Sequence, residues 1–254
     1  MWTIGADYHT HSTYSDGCAG IEENVRAAMQ KGLTCIAVTE HGPWHLKAGI
    51  RRKRLLAIRR EVDTMNERYG DRIRVLMGLE ANLISLRGDI DVRESELPLF
   101  DMLLMGYHRS ALGKGLCDNA FFLTRRKRAN EADRQAMTQA IVRAVQRYPL
   151  SILSHPGHHF PVNYAKVARA CARAGTAMEL SARAGHLRLH AQDVRDCKAA
   201  GAVFAIDSDA HRPQEIGGFD QAIAIAREAG LTQQDIVNAR GYTGTLPRGL
   251  VCIP

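Results

Sequence analysis

The chain has 254 residues, 45% hydrophobic and 24% charged, with 22 Gly and 8 Pro, an ordinary globular composition that excludes disorder and collagen. No apolar run approaches the roughly 20 residues that cross a bilayer, and Met1 to Asp7 has neither the basic start nor the apolar stretch of a signal peptide, so a soluble, cytoplasmic protein without a membrane partner is expected. The 34 Lys and Arg against 27 Asp and Glu leave +7, which favours anionic ligands without separating phosphate esters from nucleic acid.

Short β-rich apolar runs alternate with segments of helical period, the pattern of repeated βα units and a largely parallel sheet. The runs are Thr3 to His9, Cys35 to Thr39, Ile73 to Leu79, Met102 to Met105, Ser151 to Ser154, Ala177 to Leu180 and Val203 to Ile206. Helical stretches between them include Glu22 to Lys31, Arg51 to Tyr69, Asp133 to Tyr148, Tyr164 to Ala174 and Ala191 to Ala200. Gly32, Gly70, Gly175 and Gly201 follow four of these, where a helix end favours a residue tolerant of positive φ. No linker or low-complexity stretch divides the chain, so one domain spanning residues 1–254 is expected. The six cysteines (Cys18, Cys35, Cys117, Cys171, Cys197, Cys252) form no CxxC pair and read as reduced and mostly buried.

The polar residue after each run carries the functional argument. Run one ends in His9 and His11, run two in Glu40 and His41, run three in Glu80, run four in His108, run five in His155, run six in Glu179, and run seven in Asp207, Asp209 and His211. Every run is followed by a metal-ligand type. In a closed parallel barrel the strand C-termini converge on one face, where catalytic residues sit. His9 and His11 stand two apart on an extended segment, so both imidazoles point to one side and can share an ion. Asp209 and His211 repeat that spacing near the other end of the chain. First and last strands of a barrel are neighbours, so the two pairs can meet.

The motifs DYHTHSTYSDG (Asp7 to Gly17), VTEH (Val38 to His41), GLEAN (Gly78 to Asn82), MGYH (Met105 to His108), SHPG (Ser154 to Gly157), MELSA (Met178 to Ala182) and DSDAH (Asp207 to His211) together resemble the polymerase and histidinol phosphatase family, the PHP domain. The similarity runs from Asp7 to about Arg240. It is greatest to the small stand-alone phosphoesterases and to the PHP domain at the C-terminus of family X bacterial polymerases. The resemblance implies a distorted (β/α)7 TIM-like barrel with a trinuclear divalent metal site, most often zinc, with manganese or iron as alternatives. It further implies that His9, His11, Glu80 and Asp209 hold one ion, Asp16, His41 and His211 a second, and Glu80 as a bridge with His108 and His155 the third. Glu80, Asp209 and His211 would carry catalysis. Some family members have a His near Asp16; a carboxylate there makes the second position harder. The chemistry such a site supplies is a bound water whose pKa falls from 15.7 toward roughly 7, and ions about 3.5 to 4 Å apart that clamp the attacking and leaving oxygens at phosphorus.

Outside this set, Arg109, Arg183 and Arg212 lie next to or within four residues of motif residues, and a guanidinium fork suits phosphate oxygens. They are the expected substrate-binding residues, rim ion pairs being the alternative. Two basic runs, Arg51 to Arg54 and Arg125 to Arg128, are nucleic-acid candidates; the first reads as a solvated helix face. The second lies in the longest connection, Arg109 to Asp133, with Gly113, Lys114, Gly115, Phe121 and Phe122, a candidate lid whose rings suit a nucleotide or short oligonucleotide. His45, His158, His159, His186 and His190 have no assigned role. Glu179 and Asp207 read as carboxylates orienting metal-bound imidazoles, and Thr232 with Asp235 as a helix cap. The reading that results is a metal-dependent phosphoesterase acting on a small phosphorylated substrate, with a non-catalytic polymerase accessory module and a C–N-cleaving amidohydrolase as the alternatives.

Overall fold

A computed structural model describes residues 2–125, 129–251 and 253. Seven parallel strands lie side by side in chain order: β1 (Ala6–Thr10), β2 (Cys35–His41), β3 (Arg74–Asn82), β4 (Leu104–Gly106), β5 (Ile152–Leu153), β6 (Ala177–Ser181) and β7 (Phe204–Asp207). Around them run α1 (Ile21–Gln30), α2 (Leu55–Tyr69), α3 (Leu116–Arg125), α4 (Glu131–Arg147), α5 (Tyr164–Ala174), α6 (Ala191–Ala199) and α7 (Asp220–Glu228). The expected (β/α)7 TIM-like barrel is the fold observed. No described helix is long and apolar enough to cross a membrane.

Strand alternation sorts the core into two layers. Ile36, Val38, Val75, Met77, Leu79, Met178, Phe204 and Ile206 pack between sheet and helices. Ala6, Tyr8, Cys35, Ala37, Leu76, Leu104, Ile152, Ala177 and Ala205 form a second cluster, closed by Val237, Tyr242, Leu250 and Ile253. The small side chains of this second set suit a narrow barrel interior, and Tyr8 is the largest fully buried residue in it. Its hydroxyl donates to the carbonyl of Val251 at 3.2 Å.

The barrel is nearly closed rather than complete. Among the described residues β1 and β7 share one parallel bridge, Thr10 to Ala210. Below it the gap is filled by residues 236–239, with bridges Phe204 to Ile236 and Ile4 to Ala239. Fully buried Asn238 stitches the seam. Its side-chain amide donates to the carbonyls of Ala6 at 3.0 Å and Ile206 at 2.7 Å, and its oxygen accepts the N–H of Ile206 at 3.0 Å. A register shift between Asp7 and Thr10 adds a residue to β1 against β2, and such a bulge re-aims neighbouring side chains.

Two expectations change, for Gly70 and for the connection from Arg109 to Asp133, and the described cysteines are mostly buried as expected. Gly70 ends its helix at φ −64, not in the left-handed region, whereas Gly175 takes φ +69 as expected. The connection from Arg109 to Asp133 holds α3 rather than a bare loop. Its Phe122 is buried against Tyr107 at 5.0 Å, and Phe121 stacks on Phe160 at 5.5 Å, so these rings complete the core instead of facing a ligand. Cys18 and Cys117 are exposed, while Cys35, Cys171 and Cys197 are buried and free; Cys252 lies outside the described residues.

Asn238→Ala removes four hydrogen bonds and leaves buried backbone groups unpaired in the seam. The expected loss is about 2 to 4 kcal/mol of unfolding free energy, read from the shift in urea midpoint. A loss near zero would show that the seam does not depend on this amide.

Candidate metal centre

The strand ends place the expected ligands on one face. His9 lies in β1, His41 ends β2 and Glu80 lies in β3, while His11, His108, His155, Asp209 and His211 follow their strands within a few residues, and Asp16 sits in the β1–α1 loop. Glu80 is at the centre and fully buried. Its Oε2 is 3.4 Å from His9 Nε2, 3.8 Å from His11 Nε2 and 2.9 Å from His41 Nδ1. Its Oε1 is 2.8 Å from His155 Nε2 and 3.2 Å from His108 Nε2. Asp209 Oδ1 lies 3.5 Å from His11 Nε2, and Asp16 Oδ1 lies 3.5 Å from His41 Nε2 and 3.2 Å from His211 Nε2. All nine residues therefore meet in one cluster. Gly106 makes the approach possible: a Cβ there would stand 2.9 Å from the His155 ring and 3.2 Å from Glu80 Oε1.

Five buried atoms in this cluster, His9 Nε2, His11 Nε2, His41 Nδ1, His108 Nε2 and Glu80 Oε2, have no hydrogen-bond partner among the described residues. Leaving a buried polar atom unpaired costs about 1 to 3 kcal/mol, so a convergent set of them is not explained by protein contacts. Divalent cations are what a set of imidazoles and carboxylates fits. Overlapping groups with donors within 4.8 Å of one another are His9, His11 and Asp209; His11, Asp16, His41 and His211; His41, Glu80 and His108; and His155, His186 and Asp209.

A second layer of contacts fixes the rings. Glu179 accepts from His9 Nδ1 at 2.6 Å and from the backbone N–H of His155 at 2.5 Å. Asn82 Oδ1 meets His108 Nδ1 at 2.8 Å, and Asn82 Nδ2 donates to Asp91 at 2.6 Å. Glu40 accepts from the hydroxyls of Ser12 and Ser15. Such contacts set which ring nitrogen faces an ion. Asp207 departs from expectation: it orients no imidazole, and accepts instead from the backbone of Tyr8 at 2.7 Å and from Asn238 at 3.2 Å.

The charges compete. Burial disfavours an imidazolium at His9, but Glu179, Glu80 and Asp209 outweigh it and hold the ring well above its usual pKa. His41 is likewise raised, to about 10, as Asp16 and Glu80 overcome burial. Burial and the neighbouring His41 drive His11 well below the usual range, and burial lowers His108 to about 4. Glu80 and Asp209 stay ionised far below ordinary carboxylates despite burial, because imidazoles surround them. Glu40, with only hydroxyl and amide partners close by, is pushed up to about 7 by burial.

Two site residues adopt left-handed backbone without being glycine, His155 at φ +26 and Asp209 at φ +52. The β6–α6 loop supports the second. His186 Nδ1 lies 2.6 Å from Asp209 Oδ2, and Arg183 Nη1 donates to the Asp209 carbonyl at 2.8 Å and lies 2.5 Å from His211 Nδ1. His186 is the residue that sequence reasoning missed; its signal, a His seven residues past Glu179, lies outside the strand-end pattern. Arg109 is exposed, with Nε 3.3 Å from His159 Nδ1. Arg212 is exposed at the rim. His158 stacks on His186 at 3.9 Å, so the pair His158 and His159 is half-buried beside the cluster. Of the basic runs, Arg52 pairs with Glu96 and Arg54 lies 5.7 Å over the Tyr14 ring, so this stretch is not simply a solvated face. Arg125 is 3.9 Å from Asp133; Arg126, Lys127 and Arg128 lie outside the described residues. Thr232 donates to Asp235 at 2.8 Å, in line with a cap.

Comparison with known proteins agrees with this geometry. The chain is 28% identical over 256 residues to a probable phosphatase of Edwardsiella ictaluri, covering 92% of this chain and 89% of that protein. It is 28% identical over 248 residues to a probable phosphatase of Shewanella loihica, covering 91% and 88%. Among solved structures, the histidinol phosphate phosphatase of Lactococcus lactis, complexed with zinc, L-histidinol and phosphate, superposes with a TM-score of 0.65 at 17% identity, covering 91% of this chain and 95% of that one. A putative histidinol phosphatase of Listeria monocytogenes gives 0.61 at 14% identity, covering 85% and 99%. The profile of the PHP domain matches residues 7–192, which takes in most of the barrel and seven of the nine clustered residues, all but Asp209 and His211; the chain belongs to the PHP domain family.

Proposed function

We propose that this protein is a metal-dependent phosphoesterase acting on a small phosphorylated substrate. The observation that carries the reading is the set of five buried, unpartnered ligand atoms converging around Glu80. The relatives named as probable phosphatases and the fold shared with histidinol phosphatases support it. His9, His11, Asp16, His41, Glu80, His108, His155, Asp209 and His211 would hold three divalent ions, zinc foremost, with manganese or iron suited to the position that Asp16 shares. Ions so held supply Lewis acidity toward phosphoryl oxygens and a water acidic enough to attack at neutral pH.

The chain's own residues divide the remaining work. Asp16 and His211 mark the accessible side of the cluster, with side chains 40% and 14% exposed against 0% for Glu80, so substrate enters there. Arg109 and Arg212, exposed beside that opening, are placed to meet non-bridging phosphate oxygens. Arg183 holds the Asp209 carbonyl and so positions the Asp209 to His211 segment as well as adding positive charge. Glu80, Asp209 and His211 are the catalytic set in this reading. A nucleotide or short oligonucleotide is one form the small substrate takes, consistent with the net charge of +7.

Protein purified without added metal should carry more than one transition ion per chain by elemental analysis. Glu80→Gln should lose ions, whereas His190→Ala, at an exposed helix start, should keep them. Full metal content in both variants would remove Glu80 from the centre.

The arginines separate by a two-way measurement. Arg212→Ala and Arg109→Ala should lower kcat/KM for an aryl phosphate by about 10- to 150-fold, the value of a lost charge-assisted bond of roughly 1.5 to 3 kcal/mol, with metal content unchanged. Arg183→Ala should lower both kcat/KM and metal content. Unaltered kcat/KM in all three would place these arginines in rim contacts only.

A further inference from the structure

Beside the metal cluster lies a cleft of about 730 Å³, within the 300 to 1,000 Å³ typical of small-molecule sites. Its walls are the β2–α2 loop, contributing Trp44, His45, Leu46 and Arg51, and the β4–α3 loop, contributing Leu112 and Lys114. The two loops are laced together by backbone. His45 bridges Ala111 in antiparallel fashion, Leu46 N donates to the Ser110 carbonyl at 2.9 Å and Leu112 N to the Trp44 carbonyl at 3.0 Å. Asn119 closes the second loop on itself, exchanging bonds of 2.9 and 3.0 Å with Gly113. The cleft is therefore preformed.

It adjoins the centre at His45, whose ring lies parallel to that of His41 at 4.7 Å and edge-on to that of His108 at 5.5 Å. Its lining is amphiphilic. Leu46 and Leu112 are 67% and 43% exposed, large apolar side chains held in water with no core to cover, and Trp44 adds an aromatic surface. Among the described residues no acidic side chain lines the cleft. Of its cations, Arg52 is engaged by Glu96 and by the Asp91 carbonyl, and Lys114 pairs with Asp89 at 3.0 Å. Arg51 lines the cleft and has no acidic partner among the described residues.

We propose that this cleft is the leaving-group subsite and takes a flat apolar body bearing a second anionic group, the apolar body against Trp44, Leu46 and Leu112 and the second anion on Arg51. The assignment as leaving-group subsite rests on the phosphoesterase reading, since the scissile phosphate would lie at the cluster beyond His45. The second anion is a carboxylate or a further phosphate, and both offer the same planar or tetrahedral oxygens to a guanidinium.

The test reads binding, so it does not depend on turnover. Trp44 and Trp2 are the two tryptophans, and Trp2→Phe isolates Trp44 emission in the full chain. Hydroxynaphthoate and hydroxynaphthyl phosphonate should quench that emission and bind at least about threefold tighter than naphthol, the scale of one partly solvated charge contact. Arg51→Gln should bring both anions to the affinity of naphthol, and Trp44 quenching should survive it. A preference for either anionic arm supports the subsite and names its second anion. Absent quenching, equal affinities for naphthol and the anions, or anion affinities unmoved by Arg51→Gln would each overturn it, the last by placing the anions at the metal cluster instead. Turnover adds the link to catalysis: the ratio of kcat/KM for carboxynaphthyl phosphate over naphthyl phosphate should fall by about threefold or more in Arg51→Gln. If no phosphate ester is turned over while the binding pattern holds, the phosphoesterase reading fails and the cleft stands as an anion-selective apolar site.

Discussion

Glu80 has no exposed surface, and imidazole nitrogens of five histidines stand around its two oxygens at 2.8 to 3.8 Å. An isolated carboxylate in such a place costs several kcal/mol in lost hydration, so positive charge must be supplied within the barrel mouth. Protons on histidine supply only part of it. His9 and His41 are held protonated by their carboxylate neighbours, yet the ring of His11 lies 4.3 Å from that of His41, and charge on the one expels charge from the other. Divalent cations would satisfy the carboxylates and the unpartnered nitrogens together, and would displace those protons on binding.

That requirement reaches outward into the backbone. Asp209 and His155 hold left-handed conformations that typically cost about 1 to 3 kcal/mol each in a residue with a Cβ. Each is over-determined by buried contacts: Glu179 on the N–H of His155, Arg183 on the carbonyl of Asp209 and His186 on its carboxylate. The seam between β1 and β7 serves the same end. Only where the last strand comes round to the first can Asp209 stand beside His9 and His11, and Asn238 with its neighbours fills the space that two short strands leave between them.

Much of this was legible in the sequence because both signals are local. Short β-rich apolar runs mark the strands, and a ligand-type residue after each marks the face on which they converge. What failed to read was non-local. Phe121 and Phe122 look like free rings in a basic loop, but α3 turns them onto Tyr107 and Phe160. Asp207 ends its run as a ligand-type residue should, yet its partners are the backbone of Tyr8 and the amide of Asn238, each distant in sequence. His186 and Asn238 follow no motif spacing, and their importance comes from which backbone they meet.

The cleft wall and the metal cluster share one part. Asp91 accepts the backbone N–H of Trp44 at 2.9 Å with one oxygen, which also takes the amide of Asn82 at 2.6 Å, and Asn82 in turn orients His108. Gly42 lies against this pair so closely that a Cβ would stand 2.5 Å from either oxygen of Asp91. Burial raises the Asp91 carboxyl above its usual pKa, and the hydrogen bonds from Asn82 and Trp44 act against that rise. Displacing Trp44 would therefore weaken the hold on His108, and turning the His108 ring would be felt at the cleft wall. The link runs through the Trp44 backbone and not its ring, so the side chains of Trp44 and Arg51 both lie outside the chain of contacts that holds His108, and either can change while that chain keeps its form.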